Sequence, residues 1–235
     1  MAARPASIYP PGFHIIGAWL KDRILVMAFD EGSASPEELW EHYMGKYKNP
    51  NPIAKMLTRG FFNAVGRSLN TLPTDFRILE VGCGPGESTK HIVRLLNGQY
   101  FEASEFEQRL VDLHLQRGFP ITLSQESVYA MRRADNAFDC VLLLEVLEHL
   151  DDFEKALSEI FRVARNSVIV SVPNEPLWRV LNFLRGKYWS AWGNTPGHIN
   201  HWSRRSFCEL VQKYGDVETI QSPVPWTIIH AKVRN

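Results

Sequence analysis

The 235-residue sequence predicts an α/β fold, a mostly parallel sheet with helices packed on both faces. Three observations carry that prediction. Short apolar runs alternate with stretches of helical periodicity across residues 76–172. The first run ends in a glycine-rich turn, Gly82-Cys83-Gly84-Pro85-Gly86, which opens a helix. The run FDCVLLL at 138–144 is continuously apolar, as a strand covered on both faces must be.

Two helices precede the first strand. Ser35-Pro36-Glu37-Glu38 puts a capping Ser before Pro at the first helical position, with Glu at the third. Asn51-Pro52 starts another, in which Ile53, Met56, Leu57, Phe61, Ala64 and Val65 recur at helical spacing up to Leu69. A strand at 76–81 is followed by a helix at 88–96, a strand at 100–104 by a helix at 106–116. A weak third strand lies at 121–123 and a strong fourth at 138–144. Asp151-Asp152-Phe153-Glu154 caps the helix that carries Phe153, Ala156, Leu157, Ile160, Phe161 and Val163. Residues 167–172 form the fifth strand. Helices within 176–186 and 203–214 follow, and strands at 217–221 and 227–233 bring the sheet to seven.

Composition narrows the function classes. Lys plus Arg equals Asp plus Glu at 26 each, so no global field draws in a polyanion, and nucleic acid is not an expected partner. Arg132-Arg133 and Arg204-Arg205 read as solvated faces. Cys83, Cys140 and Cys208 lie far apart without C-x-x-C spacing, which argues against a zinc site or a disulfide framework. Cys140 reads as a core residue, and a reducing cytoplasm is the default location. Residues 13–29 are largely apolar, but Lys21, Asp22 and Arg23 interrupt them short of a membrane span or a signal sequence. Met27 offers an alternative start.

The glycine turn carries the chemistry. Glycine permits positive φ and lets a ligand approach the backbone closely. No Gly-Lys-[Ser/Thr] follows, so the turn is not a P-loop, and its G-x-G-x-G spacing differs from the G-x-G-x-x-G of dinucleotide sites. Glu80 precedes the first glycine, and Glu105 ends the second strand, where a carboxylate could accept ribose hydroxyls.

The run Glu80-Val81-Gly82-Cys83-Gly84-Pro85-Gly86 resembles motif I of class I methyltransferases that use S-adenosylmethionine. Phe138-Asp139 and Glu145-Val146-Leu147-Glu148-His149-Leu150 are similar to that family's fourth strand and the loop after it. The resemblance covers about residues 75–172 well. It implies a Rossmann-like three-layer sandwich, with an antiparallel last strand and a helical insert after the fifth. It also implies S-adenosyl-L-methionine as cofactor, bound by Glu80, Gly82, Gly84, Gly86, Glu105, Ser127, Val128 and Glu145. Ser127 and the backbone near Val128 would hold the adenine. Two departures stand out: Ala103-Ser104-Glu105-Phe106 replaces the usual Asp-x-Ser, and Glu126 stands where the family often has Gly. In that frame the chain is one domain: an extension at 1–34, a helical cap at 35–70, a cofactor-binding half at 71–172, a substrate-side insert at 173–202, and a C-terminal helix and strands at 203–235.

Methyl transfer needs in-line approach to a sulfonium-bound methyl, and a base only where the acceptor must lose a proton. Candidates are His149, after the fourth strand, which reads rather as packing or capping the next helix, and His198 and His201 in Gly197-His198-Ile199-Asn200-His201-Trp202, of which one or the other is preferred. Two histidines without a nearby third ligand make a poor metal site, and Glu145 with Glu148 is not a convincing set, so no metal is expected. No Asn-Pro-Pro-Tyr-type segment follows the fourth strand, unlike many enzymes of this family that methylate amino groups of nucleic acids and proteins.

Residues 173–202 hold four of the seven tryptophans, Trp178, Trp189, Trp192 and Trp202. Leu177, Val180, Leu181 and Leu184 form one apolar side, with Arg179, Arg185 and Lys187 around it. This side reads either as a lid docked on the core or as an acceptor pocket or lipid-facing surface. The partner expected is a small apolar or aromatic acceptor, including a lipid-like one, with peripheral membrane contact open. A macromolecular acceptor or a catalytically silent cofactor-binding protein are the alternatives. The sequence gives no oligomeric state.

Overall fold

A computed structural model describes residues 33–44, 51–118, 120–186 and 188–234; the N-terminal extension up to residue 32, with its alternative start, lies outside the described residues. Seven strands form one sheet: β1 (Arg77–Val81), β2 (Tyr100–Glu105), β3 (Thr122–Gln125), β4 (Phe138–Leu144), β5 (Ala164–Pro173), β6 (Gly215–Gln221) and β7 (Trp226–Val233), in the order β3-β2-β1-β4-β5-β7-β6. All run parallel except β7, which pairs antiparallel with both β5 and β6. The chain leaves β1 in one direction and returns on its other side as β4. The carboxyl ends of β1 and β4 therefore form the switch point where ligands of such sheets bind.

Helices α1 (Pro36–Met44), α2 (Pro52–Leu69), α3 (Glu87–Val93), α4 (Gln108–Gln116), α5 (Phe153–Val163), α6 (Leu177–Leu184) and α7 (Arg204–Val211) cover the sheet. One core lies where α5 and α7 meet the sheet through Leu157, Ile160, Phe207 and Val211; the other lies beneath α2 and α3 through Phe62, Val65 and Ile92. Helices α1 and α2 start where their caps dictate. Ser35 and Glu38 form the reciprocal box, with Glu38 Oε2 accepting from the Ser35 amide at 2.8 Å, and Asn51 Oδ1 accepts from the Ile53 amide at 2.9 Å. Cys140 is fully buried.

Three expectations need correction. Helix α3 ends at Val93 instead of residue 96, because Leu95 and Leu96 donate only three residues back before Asn97-Gly98 turns the chain. Arg133 is no solvated residue: its guanidinium bridges Glu102 at 2.8 Å and Glu126 at 3.0 Å, and its side chain is 19% exposed. The apolar side of α6 does not dock on the core. Val180, Phe183 and Leu184 face outward, while Asn182 is buried and donates to the Gly193 carbonyl at 3.0 Å and to Thr195 Oγ1 at 3.2 Å. The insert is tied down by its polar side.

Candidate active site

The glycine turn wraps the end of β1. Gly82, Gly84 and Gly86 have φ of +74°, +52° and +74°, values that side chains disfavour. A Cβ on Gly82 would come within 2.8 Å of Val146 Cγ2, so the loop after β4 presses directly on the turn. A Cβ on Gly84 would meet no atom within 4 Å among the described residues beyond its own chain neighbours. It would project into open space in front of the turn, the space a cofactor needs.

Glu105 closes the side of that space. Its carboxylate accepts from the Gly84 amide at 2.7 Å and the Glu107 amide at 3.0 Å, which fixes its orientation. Burial raises its pKa, against the hydrogen bonds from Glu107, Gly84 and Phe106 that favour the charged form. The carboxylate retains lone pairs for two further hydroxyl donors. A buried His114 from α4 holds the turn from behind, with Nε2 2.8 Å from the Gly84 carbonyl. A carbonyl only accepts, so Nε2 carries the proton. Burial lowers the His114 pKa, in keeping with the neutral ring. Trp40 of α1 packs edge-on against His114 with centroids 4.9 Å apart, and Arg117 lies 4.0 Å over the Trp40 ring.

Glu80 lies beneath the turn, buried, accepting from Thr89 Oγ1 at 2.5 Å. Burial pushes its pKa up to about 7, although hydrogen bonds from Ser88 and Thr89 favour the carboxylate. The fold thus holds this proton more tightly than the unfolded chain does. Its contribution to stability is complete below about pH 4.5 and is lost as pH rises through about 7. Glu80→Gln should remove that decline, and thermal melts across the same pH window would show a flatter profile. An unchanged slope would place the titration elsewhere.

The third-strand side is less simple than the family pattern. Ser127 Oγ accepts from the Tyr129 amide at 3.3 Å, and the Val128 side chain is buried in the core, so only backbone at Val128 is left to face a ligand. Glu126 is absorbed by Arg133. Glu145, with φ of +59°, turns its carboxylate to Ser171, whose hydroxyl donates at 2.8 Å. This contact ties the loop after β4 to β5.

His149 and His198 come together, while His201 does not join them. His149 Nδ1 lies 3.0 Å from the Gly197 carbonyl, so Nδ1 carries the proton and Nε2 keeps the basic lone pair. The two rings meet edge to face, 4.9 Å between centroids, and Trp178 stacks on His198 at 5.9 Å. One ligand atom each of Glu148, His149 and His198 lies within 4.8 Å of the others, a donor set that a cation could use. The spacing of His198 and His201 suggested a pair without a third ligand; instead His198 meets His149 and a buried Glu148. Asn200 staples the two loops, donating to the Leu147 carbonyl at 3.1 Å and the Leu150 carbonyl at 2.5 Å. His201 faces Glu175, with Nδ1 3.7 Å from Oε1, and burial lowers its pKa.

An aromatic wall continues from this cluster. Trp178 of α6 meets Trp226 at 5.8 Å, and Trp226 meets Phe61 of α2 at 5.1 Å. Trp226 pairs with Pro173 at the carboxyl end of β5, so the wall stands at the ligand end of the sheet. Its Nε1 is buried and has no hydrogen-bond partner among the described residues.

A family model described as a methyltransferase domain matches residues 43–216. The chain belongs to that methyltransferase family. A ubiquinone biosynthesis O-methyltransferase from Dinoroseobacter shibae is 32% identical over 122 residues, 48% of this chain and 49% of that protein, so the methyltransferase spans about half the length of this curated relative. Among solved structures, the magnesium protoporphyrin IX methyltransferase from Synechocystis PCC 6803, with bound S-adenosylhomocysteine, superposes with a TM-score of 0.61 at 16% identity, covering 83% of this chain and 94% of the other. A S-adenosylmethionine-dependent methyltransferase from Aquifex aeolicus gives 0.56 at 12% identity, covering 82% and 98%. The fold is the Rossmann-like methyltransferase fold and the cofactor is S-adenosylmethionine. No helix among the described residues of the methyltransferase is long and apolar enough to cross a membrane.

Several parts of this site carry no local sequence signal. His114 looks like any polar residue on an amphipathic helix, and Trp226 follows a turn far from every motif. Asn200 was visible only as the residue between two histidines. Charge pairing of Arg133 with Glu126 and Glu102 was accessible in principle, since Glu102 lies within the predicted second strand and Glu126 just after the predicted third.

Proposed function

We propose that this methyltransferase methylates an oxygen or carbon of a small apolar or aromatic acceptor, including lipid-like ones, with His149 as base. The carrying observation is an oriented imidazole, His149, at one end of an aromatic wall that stands at the carboxyl end of β5, the ligand end of the sheet. The cofactor supplies an electrophilic methyl on sulfonium, so the protein must bind, orient and deprotonate. Gly82, Gly84, Gly86, Glu80 and Glu105 hold it, with Ser127, the Val128 backbone and Glu145 at its margins. Phe61, Trp178 and Trp226 hold the acceptor ring. The unpartnered Trp226 N–H offers a donor to an acceptor oxygen. His149 Nε2 takes the hydroxyl proton as the oxygen is aligned, and buried Glu148 with His198 stabilises the imidazolium. His201 serves Glu175 and the insert. The division into helical cap, cofactor half and substrate-side insert follows from these roles. The relative named for ubiquinone biosynthesis O-methylation favours oxygen.

The test is to incubate the enzyme and methyl-labelled cofactor with a cell extract and separate small molecules, protein and RNA. Label should enter the organic-extractable small molecules, and label confined to protein or RNA overturns the reading. Dialysis against EDTA should leave the rate unchanged within about two-fold, as expected if the histidines act by proton transfer. A rate lost to EDTA and restored by a divalent cation would reassign Glu148, His149 and His198 as ligands.

A further inference from the structure

The chain has no net charge, yet its charges are segregated. Residues 42–74 contain five Lys or Arg and no Asp or Glu, and residues 176–208 repeat that composition. The rest of the chain is therefore ten charges negative. The first segment contains α2 and the second contains α6 with the loop leading to α7. Both reach the ligand end of the sheet, because Phe61 of α2 and Trp178 of α6 each pack on Trp226. Of these cations, Lys55 and Arg59 on α2 and Arg179 and Arg185 in the insert lie on the two elements that flank the proposed acceptor mouth, while Lys46, Lys48 and Lys187 lie outside the described residues.

The same flanks expose large apolar side chains. On α2, Ile53 is 62% and Met56 63% exposed, beside Lys55 and Arg59. On the insert, Leu184 is 75%, Trp189 59% and Trp192 74% exposed, beside Arg179 and Arg185. Phe183 stacks against both tryptophans, at 5.3 Å and 6.4 Å, which holds the rings as a shelf. Single exposed hydrophobics are ordinary, whereas a shelf of them rimmed by one sign of charge marks an interaction surface. Glu87, which lines the same cleft as Lys55 and Arg59, is paired with Lys90. Tryptophan with Arg and Lys stems suits the boundary between lipid headgroups and acyl chains, where the ring enters and the cation meets phosphate.

We propose that this face docks the enzyme on an anionic lipid bilayer, with Leu184, Trp189 and Trp192 entering the interface. Lys55, Arg59, Arg179 and Arg185 then contact lipid phosphates. On the acceptor reading above, on which this consequence rests, the mouth opens towards the membrane and takes its acceptor from there.

The full chain, without cofactor or acceptor, is sedimented with vesicles of phosphatidylcholine alone or with about 30% phosphatidylglycerol. Partition into the anionic vesicles only is expected, with a blue shift of tryptophan emission and a loss of at least about ten-fold on moving from low to high salt. Arg179→Gln and Arg185→Gln should each lower partition about five-fold. A combined Leu184→Ser, Trp189→Ser, Trp192→Ser variant should lose it while binding S-adenosylhomocysteine normally by calorimetry. The proposal is overturned by failure to bind anionic vesicles at low salt, by undiminished binding of the triple variant, or by a dimer that buries these tryptophans and ignores lipid. Because the readout needs no methyl transfer, its failure leaves the acceptor assignment standing, and the reverse also holds.

Discussion

Replacing Gly84 by valine is expected to abolish measurable binding of S-adenosylhomocysteine, a loss of at least about 100-fold, while the protein remains folded. At φ of +52° a non-glycine residue costs about 1–2 kcal/mol, more when β-branched, so the thermal midpoint should fall by only a few degrees in a chain of this size. The larger effect comes from direction. The new Cβ meets no atom within 4 Å among the described residues beyond its own chain neighbours, so its methyls occupy the space in front of the turn. Gly82→Ala behaves differently: its Cβ strikes Val146 at 2.8 Å, so stability and binding fall together. Isothermal calorimetry beside thermal melts separates the two. Normal affinity in Gly84→Val would sink the assignment of the turn.

The second large effect is expected at His149. Its alanine variant should lose about 10²–10⁴ in kcat, the range of a single positioned base, while binding the cofactor as the parent does. His198→Ala should weaken the rate less, since its ring supports His149 edge to face. His201→Ala should change it by less than about three-fold, because His201 stands apart from the His149–His198 pair, its Nδ1 3.7 Å from Glu175 Oε1. A collapse at His201 with little effect at His149 would exchange their roles.

The order of strands and helices was readable because each signal is local: the capping box at Ser35, the apolar run through β4, the glycines after β1. Glu80 and Glu105 were readable for the same reason, as they sit at strand ends a fixed distance from the turn. What escaped depends on long-range contact. His149 and His198 are neighbours because residues 197–200 are tied to the loop after β4: Asn200 clasps the carbonyls of Leu147 and Leu150, the Ile199 amide donates to the Glu148 carbonyl, and His149 meets the Gly197 carbonyl. Periodicity showed that α6 has an apolar side but could not show which way it faces. Burial of Asn182 against Gly193 and Thr195 decides that, leaving Val180, Phe183 and Leu184 exposed and Leu177 and Leu181 half-buried. Val128 and Glu145 show the converse case, in which a family position is kept while its side chain is used by the fold.

The contact from Trp40 through His114 to the Gly84 carbonyl has a thermodynamic consequence. Helix α1 buries Leu39 and Trp40 against Leu110 and Leu113 of α4, and His114 sits on that same helix with its N–H on the glycine turn. Docking of α1 and occupancy of the turn are therefore linked equilibria, and linkage is reciprocal. Whatever free energy α1 adds to holding a ligand, the ligand returns as slower amide exchange in α1. The N-terminal helix acts as a remote ballast for the methyl donor, felt through one imidazole.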